Sequence, residues 1–125
     1  MMAVFLVGLG GGVGAIGRYL FGMAWLRLAG PNHGYVSTFL INVLGGLAMG
    51  LLIGSMTRFG GNEKLRLLLA VGVLGGFTTY SSYALDAALL IERKAYGTAF
   101  VYVLGSATLT VAAVFAGLML MRRVA

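Results

Sequence analysis

Apolar positions run along this chain in long blocks separated by short polar stretches. Residues 1–17 carry no charge, Arg18 interrupts, and residues 19–26 continue the block; residues 34–57, 67–85 and 95–121 are also free of formal charge. A helix crossing the hydrocarbon needs about 20 apolar residues, and it must satisfy its own backbone hydrogen bonds there. The blocks therefore predict four transmembrane helices at roughly 3–28, 35–57, 65–90 and 97–121. A transmembrane β-barrel would show short alternating segments in place of continuous runs.

The polar stretches read as three short loops: Pro31, Asn32 and His33; then Arg58, Gly60, Gly61, Asn62, Glu63 and Lys64; then Glu92, Arg93 and Lys94. The expectation is a single four-helix transmembrane domain over 1–125, with no room for a soluble domain. No basic residue precedes the first apolar stretch, so it is expected to remain as a span and not to be a cleaved signal peptide. Composition agrees with this architecture. Hydrophobic residues make up 60% and charged residues 10%, where a water-soluble domain carries about 25% charged residues. High hydrophobicity also excludes disorder. With no cysteine, disulfide scaffolds, thiolate nucleophiles and zinc ribbons are excluded.

Loop charge sets orientation in a membrane. Four spans place Arg58, Lys64, Arg66, Arg122 and Arg123 on one side, and Arg27, Arg93 and Lys94 on the other, with Arg18 able to snorkel toward the latter. The bias is close to a tie, which permits insertion in both orientations and hence an antiparallel homodimer. The formal net charge of +6 belongs mainly to these residues beside lipid headgroups, not to a nucleic-acid surface.

The stretch 12–17 matches G-x-G-x-x-G, yet the first acid in the chain is Glu63. A dinucleotide site needs a βαβ unit and an acid about 20 residues on. The glycine pairs Gly8/Gly12 and Gly10/Gly14, and the series Gly46, Gly50, Gly54, instead suit close approach of membrane helices. Arg18 is the one charge deep within an apolar run: it either faces a water-filled vestibule, where it attracts anions, or extends its stem to the interface. His33 has no second ligand candidate nearby and reads as a polar loop residue.

The third run holds Gly72, Gly75 and Gly76, followed by six consecutive hydroxyl side chains at 78–83. Paired glycines before two β-branched threonines make a poor helix interior, and hydroxyls compete for backbone hydrogen bonds. A break at bilayer depth is tolerated only where it is buried in protein or lines a cavity, and its free carbonyls suit a cation. Thr38 and Asn42 stand four apart on the second helix; Tyr102, Ser106 and Thr110 share one face of the fourth. These are donors without formal charge, suited to replacing the water of an anion without trapping it; the bland alternative is interhelical hydrogen bonding. No triad, carboxylate pair or metal cluster can be assembled from one histidine and three acids at or near loops, of which Asp86 sits near the end of the third span, so an enzyme is not expected.

The stretches 14–19 (GAIGRY), 38–42 (TFLIN) and 75–83 (GGFTTYSSY) resemble, in order and spacing, the signature motifs of the bacterial fluoride channels, the Fluc or CrcB family. The resemblance implies an all-α membrane protein of four transmembrane helices, the third broken mid-membrane, assembled as an antiparallel dual-topology homodimer. It implies passive export of cytoplasmic fluoride through two pores, in the bacterial cytoplasmic (inner) membrane as a multi-pass protein. It implies a structural sodium ion at the dimer interface, held by backbone carbonyls of Gly75 and Thr78. The anion pathway would comprise Thr38, Asn42, Tyr80, Tyr83, Tyr102, Ser106 and Thr110, with Arg18 as the vestibule charge. One departure stands out: Tyr80 and Tyr83 occupy positions that are normally phenylalanine, and tyrosine keeps the ring edge while adding a hydroxyl. Two other readings compete. A proton-coupled multidrug-type exporter needs a glutamate in the first span, which this chain lacks; a non-transporting packing subunit would show no flux of its own.

Overall fold

The structure, a computed structural model, describes residues 1–124. It is helical throughout: α1 (Met2–Ala29), α2 (Gly34–Phe59), α3 (residues 63–77), α4 (Tyr80–Glu92) and α5 (Tyr96–Arg123). Four stretches are long and apolar enough to cross a membrane: Met2–Ala29, Pro31–Phe59, Glu63–Glu92 and Tyr96–Arg123. Each runs one or two residues past the helix ends read from the apolar blocks, apart from the second, which the structure begins with the single helical turn Pro31–His33.

Local chemistry explains where the helices stop. Gly30 (φ 87) and Gly60 (φ 83) take left-handed backbone angles, which lack of a Cβ permits. The lone tryptophan ties the first turn down, since Trp25 Nε1–H donates to the His33 carbonyl at 3.0 Å. Asn62 caps α3 by accepting from the Leu65 amide at 2.8 Å, and Arg66 reaches back to the Glu63 carboxylate at 2.6 Å. At the same end of the molecule, the Arg58 guanidinium donates to the Arg122 carbonyl at 2.9 Å, capping the last turn of α5. Asn62→Ala is expected to lower stability in detergent by about 1 kcal/mol, the usual worth of an N-cap side chain, measured by thermal unfolding.

Two close-packed helix pairs carry the fold: α1 with α3, and α2 with α5. Glycine sets both distances. A Cβ at Gly10 would stand 2.9 Å from the Gly72 Cα, and one at Gly14 would stand 2.8 Å from the Phe77 amide nitrogen. Gly76 similarly abuts Gly11, and Gly117 abuts Leu47 and Gly50. Gly8 and Gly12, by contrast, have nothing within 4 Å. Of the two glycine pairs on α1, therefore, only Gly10/Gly14 is at a helix contact, because the helix turns the other pair outward. Residues Arg66–Leu74 of α3 wind as a wider π-helix, which carries Gly72 against Gly10. Large apolar side chains such as Phe5, Leu9, Val13, Phe100, Val101 and Phe115 are exposed around the outside, as suits a solvent of lipid chains and not water.

Candidate functional site

Helical geometry stops at Phe77 and resumes at Tyr80. Thr78 (φ −77, ψ 157) and Thr79 (φ −151, ψ 123) are both extended. Gly75 and Gly76 themselves are helical; Gly76 packs against Gly11, and the extended residues are the threonines after them. Three local interactions hold this geometry. Asn42, on α2, grips the Thr79 peptide from both sides: the Thr79 amide donates to Asn42 Oδ1 at 2.8 Å, and Asn42 Nδ2 donates to the Thr79 carbonyl at 2.9 Å. The Thr79 hydroxyl caps α4 by accepting from the Ser82 amide at 3.2 Å. Thr78 Oγ1 folds back to the Leu74 carbonyl at 2.9 Å.

Those bonds leave particular acceptors without their helical donors. In a continuous helix the Gly75 carbonyl would receive the Thr79 amide, and the Thr78 carbonyl would receive the Ser82 amide. Both amides are used elsewhere, by Asn42 and by Thr79 Oγ1. The Gly75 and Thr78 carbonyl oxygens are thus freed, together with those of Gly76 and Phe77, whose helical donors would be the Tyr80 and Ser81 amides that open α4. Hard oxygen donors of this kind suit a hard cation, and no group of His, Cys, Asp or Glu that could hold a metal occurs among the described residues.

Two cavities flank the extended segment. The larger, about 520 Å³, brings together Asn42, Thr78, Tyr80, Tyr83, Ser106 and Thr110. The smaller, about 270 Å³, is lined by Arg18 and Thr38 with the hydroxyls of Ser37 and Ser82. Thr79 lines both and stands between them. Arg18 has no carboxylate partner among the described residues, so it presents an uncompensated cation beside those hydroxyls. In the larger cavity, Ser106 Oγ and Thr110 Oγ1 are buried and have no hydrogen-bond partner. Buried hydroxyls normally find one; leaving one unpaired costs about 1–3 kcal/mol.

The tyrosines divide into different roles. Tyr83 donates its hydroxyl to the Val103 carbonyl at 2.9 Å, so that proton is already committed while the residue lines the larger cavity. Tyr80 is 81% exposed within the single chain, and its ring lies 5.5 Å from that of Tyr83. Tyr102 shares a helix face with Ser106 and Thr110 but lines neither cavity. It is packed between the rings of Tyr35 and Tyr83, at 5.6 and 5.5 Å, and its hydroxyl donates to Asp86 Oδ2 at 3.1 Å. Gly75 also lines neither cavity; its part in the site is its carbonyl.

Residue-by-residue reading of the sequence placed Thr79 only within the hydroxyl run and Asp86 only as a lone acid; it missed the cap made by the first and the Tyr102 partner of the second. Thr79 had a visible signal: a threonine three residues before Ser82 at the head of an apolar stretch is a capping pattern. Asp86 had none, because its partner Tyr102 is 16 residues away on the next helix.

Comparison with known proteins identifies the family. The family described as CrcB-like protein, Camphor Resistance (CrcB), matches residues 5–118. The chain is 58% identical over 126 residues to the fluoride-specific ion channel FluC of Phenylobacterium zucineum, covering 99% of this chain and 98% of that protein. It is 49% identical to the protein of the same name from Caulobacter sp. strain K31, with the same coverage. With the Novosphingobium aromaticivorans fluoride-specific ion channel FluC it shares 48% identity across 100% of both chains. By its motifs, its helices and these relatives, the chain belongs to the CrcB family.

Proposed function

We propose that this chain is the subunit of a fluoride-selective channel that lets cytoplasmic fluoride leave passively across the bacterial inner membrane. The observation that carries the reading is the pair of unpartnered hydroxyls, Ser106 Oγ and Thr110 Oγ1, buried in the cavity beside Asn42 and the tyrosine rings. Fluoride holds its water strongly, so a path must offer replacement donors in steps, yet bind weakly enough to release the ion. Neutral hydroxyls meet both demands. Aromatic ring edges carry partial positive charge, and Tyr80 and Tyr83 supply them at the same cavity. Arg18, in the smaller cavity, draws anions toward the path without standing in it. Thr38 and Tyr102 extend the row of hydroxyls toward Asp86.

The working unit is an antiparallel, dual-topology homodimer with two pores. Supporting it are the near-equal basic charge of the two ends, which lets either orientation insert, and the exposure of Tyr80, which a second copy would cover. The break in the third span then lies mid-membrane at the dimer centre. There, the freed carbonyls of Gly75 and Thr78 from both subunits hold a structural sodium ion. Neighbouring charge is absent from that segment, which suits a monovalent ion held by dipoles.

The test is fluoride efflux from liposomes containing the purified protein, with chloride as control. Efflux of fluoride, and at least about a hundredfold less of chloride, is expected from a path built on ion-sized neutral donors. Equal rates for the two ions, or none for fluoride, sink the reading.

A further inference from the structure

Asn42 uses both ends of its amide on a single peptide group, that of Thr79. This is more than a wall residue of the anion cavity requires. The Thr79 amide is the donor that would otherwise close a helical turn onto the Gly75 carbonyl. At bilayer depth an unpaired carbonyl is costly, so the chain gains by closing that turn unless something prevents it. Two competitors exist for the Gly75 oxygen: the Thr79 N–H and a cation. Asn42 holds the first away. Thr79 Oγ1 does the same for Thr78, by engaging the Ser82 amide at 3.2 Å.

We infer that Asn42 is a positioning residue for the carbonyl cation site: acting through the Thr79 peptide, it keeps the Gly75 oxygen open to the ion. The inference rests on the sodium reading above and adds a coupling to it. One α2 side chain lines the anion cavity and also maintains the cation ligands, so the two sites share a part. Coupling of this kind is reciprocal: the clasp promotes cation binding, and the bound cation holds the clasp closed. Thr79, gripped by Asn42 and lining both cavities, is the element through which it passes.

The experiment follows thermal unfolding of the full purified protein against sodium, replaced at constant ionic strength by a large organic cation. The unmodified protein is expected to gain stability with sodium until saturation. Asn42→Leu keeps the bulk and removes both bonds, and its half-effect sodium concentration should rise about tenfold, roughly the worth of one hydrogen bond. Thr79→Val keeps the Asn42 clasp, frees the Ser82 amide and removes the contacts of the Thr79 hydroxyl with Ser81 Oγ and Ser82 Oγ; a rise of about threefold is expected for those weaker contacts. Ser106→Ala should lose fluoride flux while keeping the sodium midpoint of the unmodified protein. An Asn42→Leu variant with reduced flux and an unshifted sodium midpoint overturns the inference, leaving Asn42 as a cavity residue alone. If Asn42→Leu does not fold, Asn42→Ala, which also removes both bonds to the Thr79 peptide, decides, and an unshifted midpoint overturns the inference. Indifference of the unmodified protein to sodium removes the cation site and this inference together, whereas the liposome assay judges fluoride conduction independently.

Discussion

Replacing Ser106 with alanine and Thr110 with valine in one protein is expected to cut fluoride flux by about a hundredfold while raising, not lowering, thermal stability. The two effects point in opposite directions for one reason. Both hydroxyls are buried without partners, Ser106 at 3% exposure, so in the empty protein they are a burden. Removing a buried unsatisfied polar group relieves about 1–3 kcal/mol, whereas substituting a paired one is destabilising. On the proposed pathway the same hydroxyls would replace two waters of the ion. Losing each donor raises the barrier by about 1.4 kcal/mol, a tenfold effect, within the range for hydrogen bonds to charged groups. The measurements are liposome flux and thermal unfolding on the same preparations. Reduced stability accompanied by unchanged flux would place these hydroxyls in the packing and not in the pathway.

The largest structural effect is expected from Gly50→Ala. A Cβ there would meet the Val114 carbonyl oxygen and come within 3.1 Å of the Gly117 Cα. The atoms it meets are backbone on a neighbouring helix, so no side chain can rotate away; α2 and α5 must separate. That shift opens the contact along Gly46, Gly54 and Gly117 as well, and forfeits dispersion contacts that no lipid chain can replace at that distance. Overpacking typically costs about 1–3 kcal/mol, and at a backbone-to-backbone crossing the upper end is expected. Gly8→Ala on α1, where nothing lies within 4 Å, provides the matched control and should be neutral or slightly stabilising, because alanine is the better helix former. Thermal unfolding and size-exclusion chromatography in detergent distinguish the two. Equal behaviour of the Gly50 and Gly8 variants would refute the packing argument.

Sequence reading succeeded where a property is local or periodic. Uncharged blocks pointed to four spans, and the structure has four helices long and apolar enough to cross a membrane, since the bilayer imposes length and polarity on each segment separately. Spacing of four put Ser106 and Thr110 on one face, and the structure places both in one cavity. It failed where a partner lies far away in the chain. Paired glycines before two threonines suggest an irregular segment without saying which of the four leaves the helix; Gly75 and Gly76 remain helical. The extended backbone falls at Thr78 and Thr79 because Asn42, 37 residues earlier, grips the second of them. Periodicity placed Tyr102 with Ser106 and Thr110, but it cannot show that Tyr35 and Tyr83 enclose its ring or that Asp86 takes its hydroxyl. On α1, the small-residue pattern offered two equivalent glycine pairs. Only contact with α3 distinguishes Gly10 and Gly14 from Gly8 and Gly12.

The bond from Trp25 to the His33 carbonyl has a practical side. The chain contains one tryptophan and one histidine, and this contact joins them at the turn between α1 and α2. The indole is therefore a built-in optical reporter with a single, known address. Its emission reads the hydration of that turn alone, unmixed with signals from the carbonyl segment or the hydroxyl-lined cavity.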